Sequence, residues 1–172
     1  MNKTVILFAF LLLTLLTVFS CAAGKDPGIV KVYDTAEEAG EACGLMPVEY
    51  VPEGFHVSAY RTIYGHVSET EYKSEDAVKD GEKIAVLRIV STEYKTENLS
   101  GFTDMGLAEV FSPSDKTEFE IETRDGVYAA EWTETFGGDE CNISFTLING
   151  ENIEEFKKLL EESSKYIESS HK

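Results

Sequence analysis

The side chains best suited to chemistry are glutamates that alternate along two adjacent predicted strands. These strands place Glu118, Glu120 and Glu122 on one face of a hairpin, with Glu131 directly opposite Glu120. Like charges that face each other across a hairpin cost stability, and a bound Ca²⁺ would offset that cost because hard cations take carboxylate oxygens. The chain has no EF-hand spacing, which favours the alternative of a solvent-exposed face neutralised by Lys or Arg from a neighbouring strand. Glu118, Glu120 and Glu131 are therefore candidate metal ligands, and no metal is predicted.

Histidine and cysteine spacing offers no second site. His56 and His66 lie ten residues apart, and the chain contains no H-x-x-x-H, H-E-x-x-H or C-x-x-C motif, so the sequence does not predict zinc. A nucleophilic pair of Cys43 or Cys141 with His56 is the remaining combination, and no motif supports it. The chain also lacks G-x-S-x-G, Walker and G-x-G-x-x-G motifs. We therefore predict a non-enzymatic protein without a cofactor.

The first twenty residues have the pattern of a secretion signal. Lys3 supplies a short basic region, and an apolar run from Val5 to Phe19 follows it. The run is short for a membrane span and suits the apolar region of a signal peptide. It ends in Val18-Phe19-Ser20-Cys21, which resembles the lipobox of bacterial lipoproteins, whose cysteine receives a diacylglycerol thioether. We therefore expect residues 1–20 to be a lipoprotein signal peptide and Cys21 to be lipidated.

Two other processing routes stay open. Signal peptidase could cut after Ala22 or Ala23 and release a soluble secreted protein, or the apolar segment could stay uncut as an anchor. All three routes place the rest of the chain outside the cytoplasm. Residues 21–28 are mostly small and include one proline, which predicts a tether leading to a single domain over residues 29–172.

The charge of the chain excludes several classes of partner. The 172 residues include 32 acidic and 15 basic side chains, for a formal net charge of −17. Removing residues 1–20 takes away Lys3 and no acid, so 152 residues remain with 14 basic side chains and a charge of −18. Nucleic-acid binding needs clustered Lys and Arg, and anionic lipid attracts basic segments. The sequence therefore predicts no nucleic-acid partner and a membrane attachment that is covalent.

Cys43 and Cys141 remain as an even pair if Cys21 is acylated. Disulfides persist outside the cytoplasm, and a bond across these 98 positions would close a long loop. Chain entropy puts the stabilisation from such a loop near about 4.7 kcal/mol before strain is subtracted. Two buried free thiols are the alternative, since free cysteine packs as a small apolar residue. We hypothesise that Cys43 and Cys141 form a structural disulfide.

Short elements are predicted in the first half of the domain. A weakly alternating strand over residues 29–33 precedes a helix over residues 36–43. Thr35 supplies the N-cap of that helix, and Gly44 ends it because glycine takes the left-handed conformation without strain.

Two longer strands flank an acidic stretch. Phe55–Tyr64 is rich in β-forming residues, and Lys83–Thr92 is the most hydrophobic strand. Between them, Ser68–Glu82 holds six acidic side chains and two lysines, which indicates a solvated loop or a sheet edge. The same stretch is where an unrecognised hydrolase site would lie.

The last third of the chain predicts a three-stranded meander covered by a helix. Asp125-Gly126 favours a two-residue type I′ turn, and a second hairpin turns at residues 136–139. Counting outward places one set of apolar residues on a single face, because a one-residue slip would scatter it. That set comprises Phe119, Ile121, Tyr128, Ala130, Trp132, Cys141, Ile143, Phe145 and Leu147. A helix beginning at Ile153 and capped by Asn152 carries a matching apolar stripe. The sequence therefore predicts an α+β fold, an antiparallel sheet with one face covered by this helix and the short N-terminal helix.

These elements resemble an extracytoplasmic domain family found in lipoproteins and in the outer part of anti-sigma-factor-like proteins, mostly in Gram-positive bacteria. The resemblance rests on residues 35–44, on Pro47, on the run Val48-Glu49-Tyr50-Val51-Pro52-Glu53-Gly54-Phe55 and on Glu131-Trp132 with the elements that follow. It covers residues 34–168 and implies a bacterial cell-surface domain. The family provides no catalytic residues to transfer.

The sequence as a whole predicts a lipid-anchored extracytoplasmic domain that binds another protein or a cell-envelope ligand. The alternatives are an extracytoplasmic hydrolase with an unrecognised site and a secreted soluble binding protein.

Overall fold

A computed structural model describes residues 29–75, 81–94, 96, 98–114 and 117–170. The predicted signal peptide, Cys21 and the predicted tether lie outside these residues. Eight strands are described: β1 (Val30–Tyr33), β2 (Phe55–Ile63), β3 (Val67–Ser74), β4 (Ile84–Ser91), β5 (Gly106–Ser114), β6 (Thr117–Arg124), β7 (Val127–Phe136) and β8 (Asp139–Ile148). The helices are α1 (Ala36–Cys43) and α2 (Ile153–Ser169). Within this part of the chain, no helix is long and apolar enough to cross a membrane.

All eight strands form one antiparallel sheet, so the fold is α+β with a large β component. The strand order is β1-β2-β3-β4-β8-β7-β6-β5. Two four-stranded meanders therefore meet where β4 pairs with β8. The chain leaving β4 must pass β8, β7 and β6 before it begins β5 at the far edge. We call residues 98–105, which make this passage, the crossover loop.

One face of the sheet, the core face, packs against the helices. Its central cluster joins sheet residues such as Trp132, Ile143 and Phe145 to Phe156 and Leu160 of α2. Trp132 therefore lies in the core and does not form an exposed stacking platform. The opposite face, the polar face, carries the side chains that alternate with these along each strand.

Both helices begin and end with local hydrogen bonds that their sequences supply. Thr35 accepts from the backbone N–H of Glu38 at 3.2 Å, and Gly44 ends α1 with φ of 75°. Asn152 likewise accepts from the N–H of Glu155 at 3.0 Å. These bonds satisfy backbone donors that would otherwise lack a partner at a helix start.

The register of β7 and β8 is the one that counting from the turn predicts. Trp132 lies opposite Ile143, Ala130 opposite Phe145 and Tyr128 opposite Leu147.

The ladder between β6 and β7 is shorter than the sequence predicts. It runs from Arg124 opposite Val127 to Ile121 opposite Ala130 and ends there. The predicted pairing of Glu120 with Glu131 is therefore wrong, and so is the ladder pairing of Phe119 with Trp132. The aromatic rings still touch edge to face, with centroids 5.3 Å apart. The ladder ends just before the position where these two carboxylates would have faced each other as a cross-strand pair.

The prediction of a solvated loop or edge over Ser68–Glu82 is also wrong for most of its described part. Val67–Ser74 forms β3, which lies between β2 and β4 inside the sheet. Ser68 and Thr70 are buried, and Glu69 is buried on the opposite face. Residues 76–80 lie outside the described part of the chain.

Cys43 and Cys141 are free thiols in the structure, so the predicted disulfide is not formed there. Cys141 belongs to the core cluster, and Cys43 packs against it. The Cys43 thiol donates to the carbonyl of Leu45 at 3.3 Å, whereas Cys141 Sγ lies 4.0 Å from the carbonyl of Phe136. The two sulfurs thus have different local partners. Burial, with a smaller contribution from Asp139, raises the pKa of the Cys141 thiol.

We expect two reactive thiols per chain when a Cys21→Ser variant is unfolded in denaturant without reductant. In the folded protein Cys141 should react more slowly than a free thiol, because burial disfavours the reactive thiolate. Titration with a chromogenic thiol reagent measures both quantities. Absence of reactive thiols in the unfolded, unreduced chain would contradict the assignment and restore the disulfide.

Candidate functional site

Arg88 fixes the crossover loop to the polar face of the sheet. Its side chain projects from the middle of β4, where its Nε donates to Glu69 Oε2 at 2.7 Å. Its Nη1 donates to the backbone carbonyls of Leu99 and Ser100. Gly101 follows with φ of 79°, and a Cβ at that position would lie 2.7 Å from Arg88 Nη1. The positive φ and the close approach of the guanidinium together favour glycine at this position.

The guanidinium belongs to a charge network that includes buried Glu69. The Glu69 side chain is only 6% exposed, and its Oε1 accepts from Arg61 Nη1 at 2.8 Å. Arg61 also donates to Glu71 Oε2 at 2.7 Å. Burial alone would raise the pKa of Glu71, but hydrogen bonds from Arg61 and Ser58 hold it below its ordinary value. Two arginines thus neutralise the acids of β3, which is why this acidic segment can be an internal strand.

Further contacts hold the crossover loop over the second meander. Glu131 Oε1 accepts from the backbone N–H of Ser100 at 2.6 Å. Asn98 Oδ1 accepts from Ser100 Oγ and from the N–H of Gly101, at 2.7 and 2.9 Å. Arg124 Nη1 donates to the carbonyl of Thr103 at 2.7 Å. The loop is therefore attached to β4, β6 and β7.

A cleft opens between the crossover loop and the separating strands β6 and β7. It has a volume of about 500 Å³. Its lining combines acidic side chains with apolar ones and includes Phe102, Asp104, Met105, Glu120, Glu122 and Glu131. Among the described residues that line it, four are acidic and none is basic. We call this the acidic cleft.

The structure brings together some of the glutamates singled out in the sequence. Glu120, Glu122 and Glu131 line the acidic cleft, whereas Glu118, on the same strand and face, is not among the lining residues. In the described part of the chain, no group of three His, Cys, Asp or Glu side chains could hold a metal ion. Glu131 also uses one oxygen to hold the crossover loop. The carboxylates of the cleft form an anionic surface, which attracts positive charge.

A second cavity lies on the other side of the crossover loop. It measures about 360 Å³ and is bounded by Ile63, Val67 and Leu99 together with aromatic rings. The His66 ring stacks on Tyr94 with centroids 4.4 Å apart, and Tyr64 lies 6.2 Å away on a near-parallel plane. We call Tyr64, His66 and Tyr94 the aromatic corner.

The predicted cysteine and histidine site does not assemble. His56 is exposed on β2 opposite Lys73, while the sulfurs of Cys43 and Cys141 are directed at backbone carbonyls. His66 instead contributes to the aromatic corner, where His66 Nδ1 lies 3.0 Å from the carbonyl oxygen of Tyr64.

Sequence reasoning missed the residue that organises this face. Arg88 interrupts the most hydrophobic strand, and a lone charge inside such a strand is a signal that it pairs with a buried acid. The crossover loop and β5 carry no comparable signal, because their contacts join residues far apart in the chain.

Comparisons with protein-family models, with curated protein sequences and with solved structures find no match for this chain.

Proposed function

We propose that this chain is a lipid-anchored extracytoplasmic binding domain, non-enzymatic, that takes a positively charged ligand in its acidic cleft. One observation carries the proposal: among the residues that the structure describes, those lining a cleft of about 500 Å³ include four carboxylates and no basic side chain. Binding sites are usually concave, largely preformed and lined by apolar groups with a few polar ones. Phe102, Met105, Ala129 and Ala130 supply the apolar part here.

The attachment of the crossover loop supports a preformed cleft. The loop is held by Arg88 on one side and by Glu131 on the other. A wall that is already ordered loses little conformational entropy when a ligand binds. Basic segments of peptides or amine groups of envelope components have the chemistry that such a cleft complements.

The proposed extracytoplasmic location is supported by the sequence alone. The apolar run and the Val18-Phe19-Ser20-Cys21 motif favour lipidation of Cys21. The resemblance to extracytoplasmic domains of bacterial lipoproteins supports the same placement. A protein held there by lipid meets ligands of the cell envelope or the medium.

We expect Glu120→Gln/Glu122→Gln to abolish ligand capture by the anchored protein. Neutralising two carboxylates removes the attraction for a cation while leaving the side-chain volumes nearly unchanged. The measurement is affinity isolation from intact cells after brief cross-linking, with the co-isolated component identified by mass spectrometry. A Cys21→Ser chain serves as the control for isolation that does not depend on anchoring.

Glu118→Gln is the matched control, because Glu118 lies two residues along the same strand and face but outside the lining. It should capture the ligand as the wild type does. Equal capture by all three chains, or equal loss in both variants, would contradict a binding role for the acidic cleft.

A further inference from the structure

Several exposed apolar side chains gather at one edge of the sheet. β1 is an edge strand, and Ile29, Val30 and Val32 are all about half exposed or more. Tyr64 adjoins them, since its backbone N–H donates to the carbonyl of Ile29 at 2.6 Å. Tyr94 joins the group through the stack of the aromatic corner. We call these five residues the apolar edge. Exposed apolar clusters of this kind mark interaction surfaces.

The rest of the chain enters the domain within this surface. Residues 1–28 precede Ile29, and only eight residue steps separate Cys21 from Ile29. Even a fully extended chain of that length spans at most about 29 Å. A lipid on Cys21 would therefore hold Ile29, the first residue of the apolar edge, within that distance of the membrane, whatever path the tether takes.

We propose that the apolar edge rests on the interfacial layer of the membrane and orients the anchored domain. This inference rests on the proposed lipidation of Cys21. Tyrosine is enriched at membrane–water interfaces because its ring is apolar and its hydroxyl is polar. Moving valine and isoleucine side chains from water into the same layer is favourable, because it removes apolar surface from water.

Because the tether already holds the domain near the membrane, a weak contact between the apolar edge and the lipid is enough to orient it. Attachment converts docking into an intramolecular event with a high effective concentration. Contact through apolar groups is required here, because the chain that begins at Cys21 has a net charge of −18 and gains no electrostatic attraction to anionic lipid.

The strand order determines how far the acidic cleft lies from the apolar edge. Seven interstrand spacings separate β1 from β5, or about 34 Å across the sheet. Strands β7 and β6, which border the acidic cleft, lie five and six spacings from β1, or about 24 to 29 Å. With β1 at the membrane and the sheet upright, the acidic cleft therefore lies about 24 to 29 Å from the lipid headgroups.

The test compares single tryptophans at opposite edges of the sheet. Tyr64→Trp places the probe in the apolar edge, and Leu107→Trp places it on β5; the native side chains are 65% and 62% exposed, so the two positions are matched. The full lipidated chain is bound to phospholipid vesicles with and without a spin-labelled lipid whose label lies near the glycerol backbone. Native Trp132 is buried and supplies a common baseline, measured in the wild-type protein.

We expect quenching of the added fluorescence to be several-fold stronger for Tyr64→Trp than for Leu107→Trp. Val32→Trp, at a second position of the apolar edge, should behave like Tyr64→Trp and serves if that variant fails to fold. Equal quenching at both edges, stronger quenching at Leu107→Trp, or none at either edge would overturn the proposed orientation.

A blue shift that depends on protein concentration without quenching would show that a second copy covers the apolar edge instead. Vesicle-bound protein without quenching leaves the lipid anchor intact, whereas failure of the wild type to join membranes would overturn the anchor itself.

Discussion

Replacing Arg88 with methionine is expected to lower the free energy of unfolding by about 3–5 kcal/mol, the usual cost of removing one partner from a buried ion pair. Glu69 would keep its ion pair with Arg61 but lose the one with Arg88. Water could not replace the lost partner, because the Glu69 side chain is only 6% exposed. The carbonyls of Leu99 and Ser100 would lose their donor at the same time. Methionine retains an unbranched apolar stem, so lost charge and hydrogen bonds dominate the change. Urea denaturation of the Cys21→Ser chain, followed by circular dichroism, measures the difference.

Lys165→Met is the matched control for this substitution. Lys165 pairs with Glu161 on the exposed side of α2, and its side chain is 65% exposed. An exposed pair of this spacing contributes about 0.3–0.5 kcal/mol. Adding Glu69→Gln to Arg88→Met should recover part of the lost stability, because a neutral amide is cheaper to leave without a cation. If Arg88→Met is no more destabilising than Lys165→Met, the network does not support the fold as described.

Cys21→Ser is expected to move the protein from the membrane fraction to the soluble fraction almost completely. Serine cannot form the thioether, and a domain with a charge of −18 after removal of residues 1–20 has no electrostatic hold on anionic lipid. Stable attachment takes two acyl chains, whereas a single chain binds only marginally. Fractionation of cells expressing either chain, with immunodetection, measures the distribution.

Retention of Cys21→Ser in the membrane fraction under high salt would contradict lipidation. It would favour an uncut apolar segment as the anchor. Glu118→Gln, which changes no residue of the leader or tether, should fractionate like the wild type and controls for substitution as such.

The predictions that succeeded depended on residues close together in sequence. The turns at Asp125-Gly126 and Gly137-Gly138 fix the register of their hairpins, because the adopted conformations suit these residue types. Thr35 and Asn152 likewise cap the helices that follow them. Turns and helix caps of this kind can be predicted from neighbouring residues without knowledge of the rest of the fold.

The predictions that failed depended on partners distant in sequence. The acidic composition around Glu69 is typical of a solvent-exposed segment. Glu69 can lie in an internal strand because it pairs with Arg61 and Arg88 on the neighbouring strands. Counting outward from the turn predicts a ladder that continues past Ile121, whereas the observed pairing of the two strands ends there. The acidic cleft arises from that separation and from the crossover loop together, so no single segment of the sequence indicates it.

Intact-mass analysis of protein extracted from membranes tests the anchoring claim most directly. Lipidation predicts a chain that begins at Cys21 and carries the added mass of a diacylglycerol, with or without a further acyl group. A chain that begins at Ala23 or Gly24 without lipid, or one that still begins at Met1, would contradict the account.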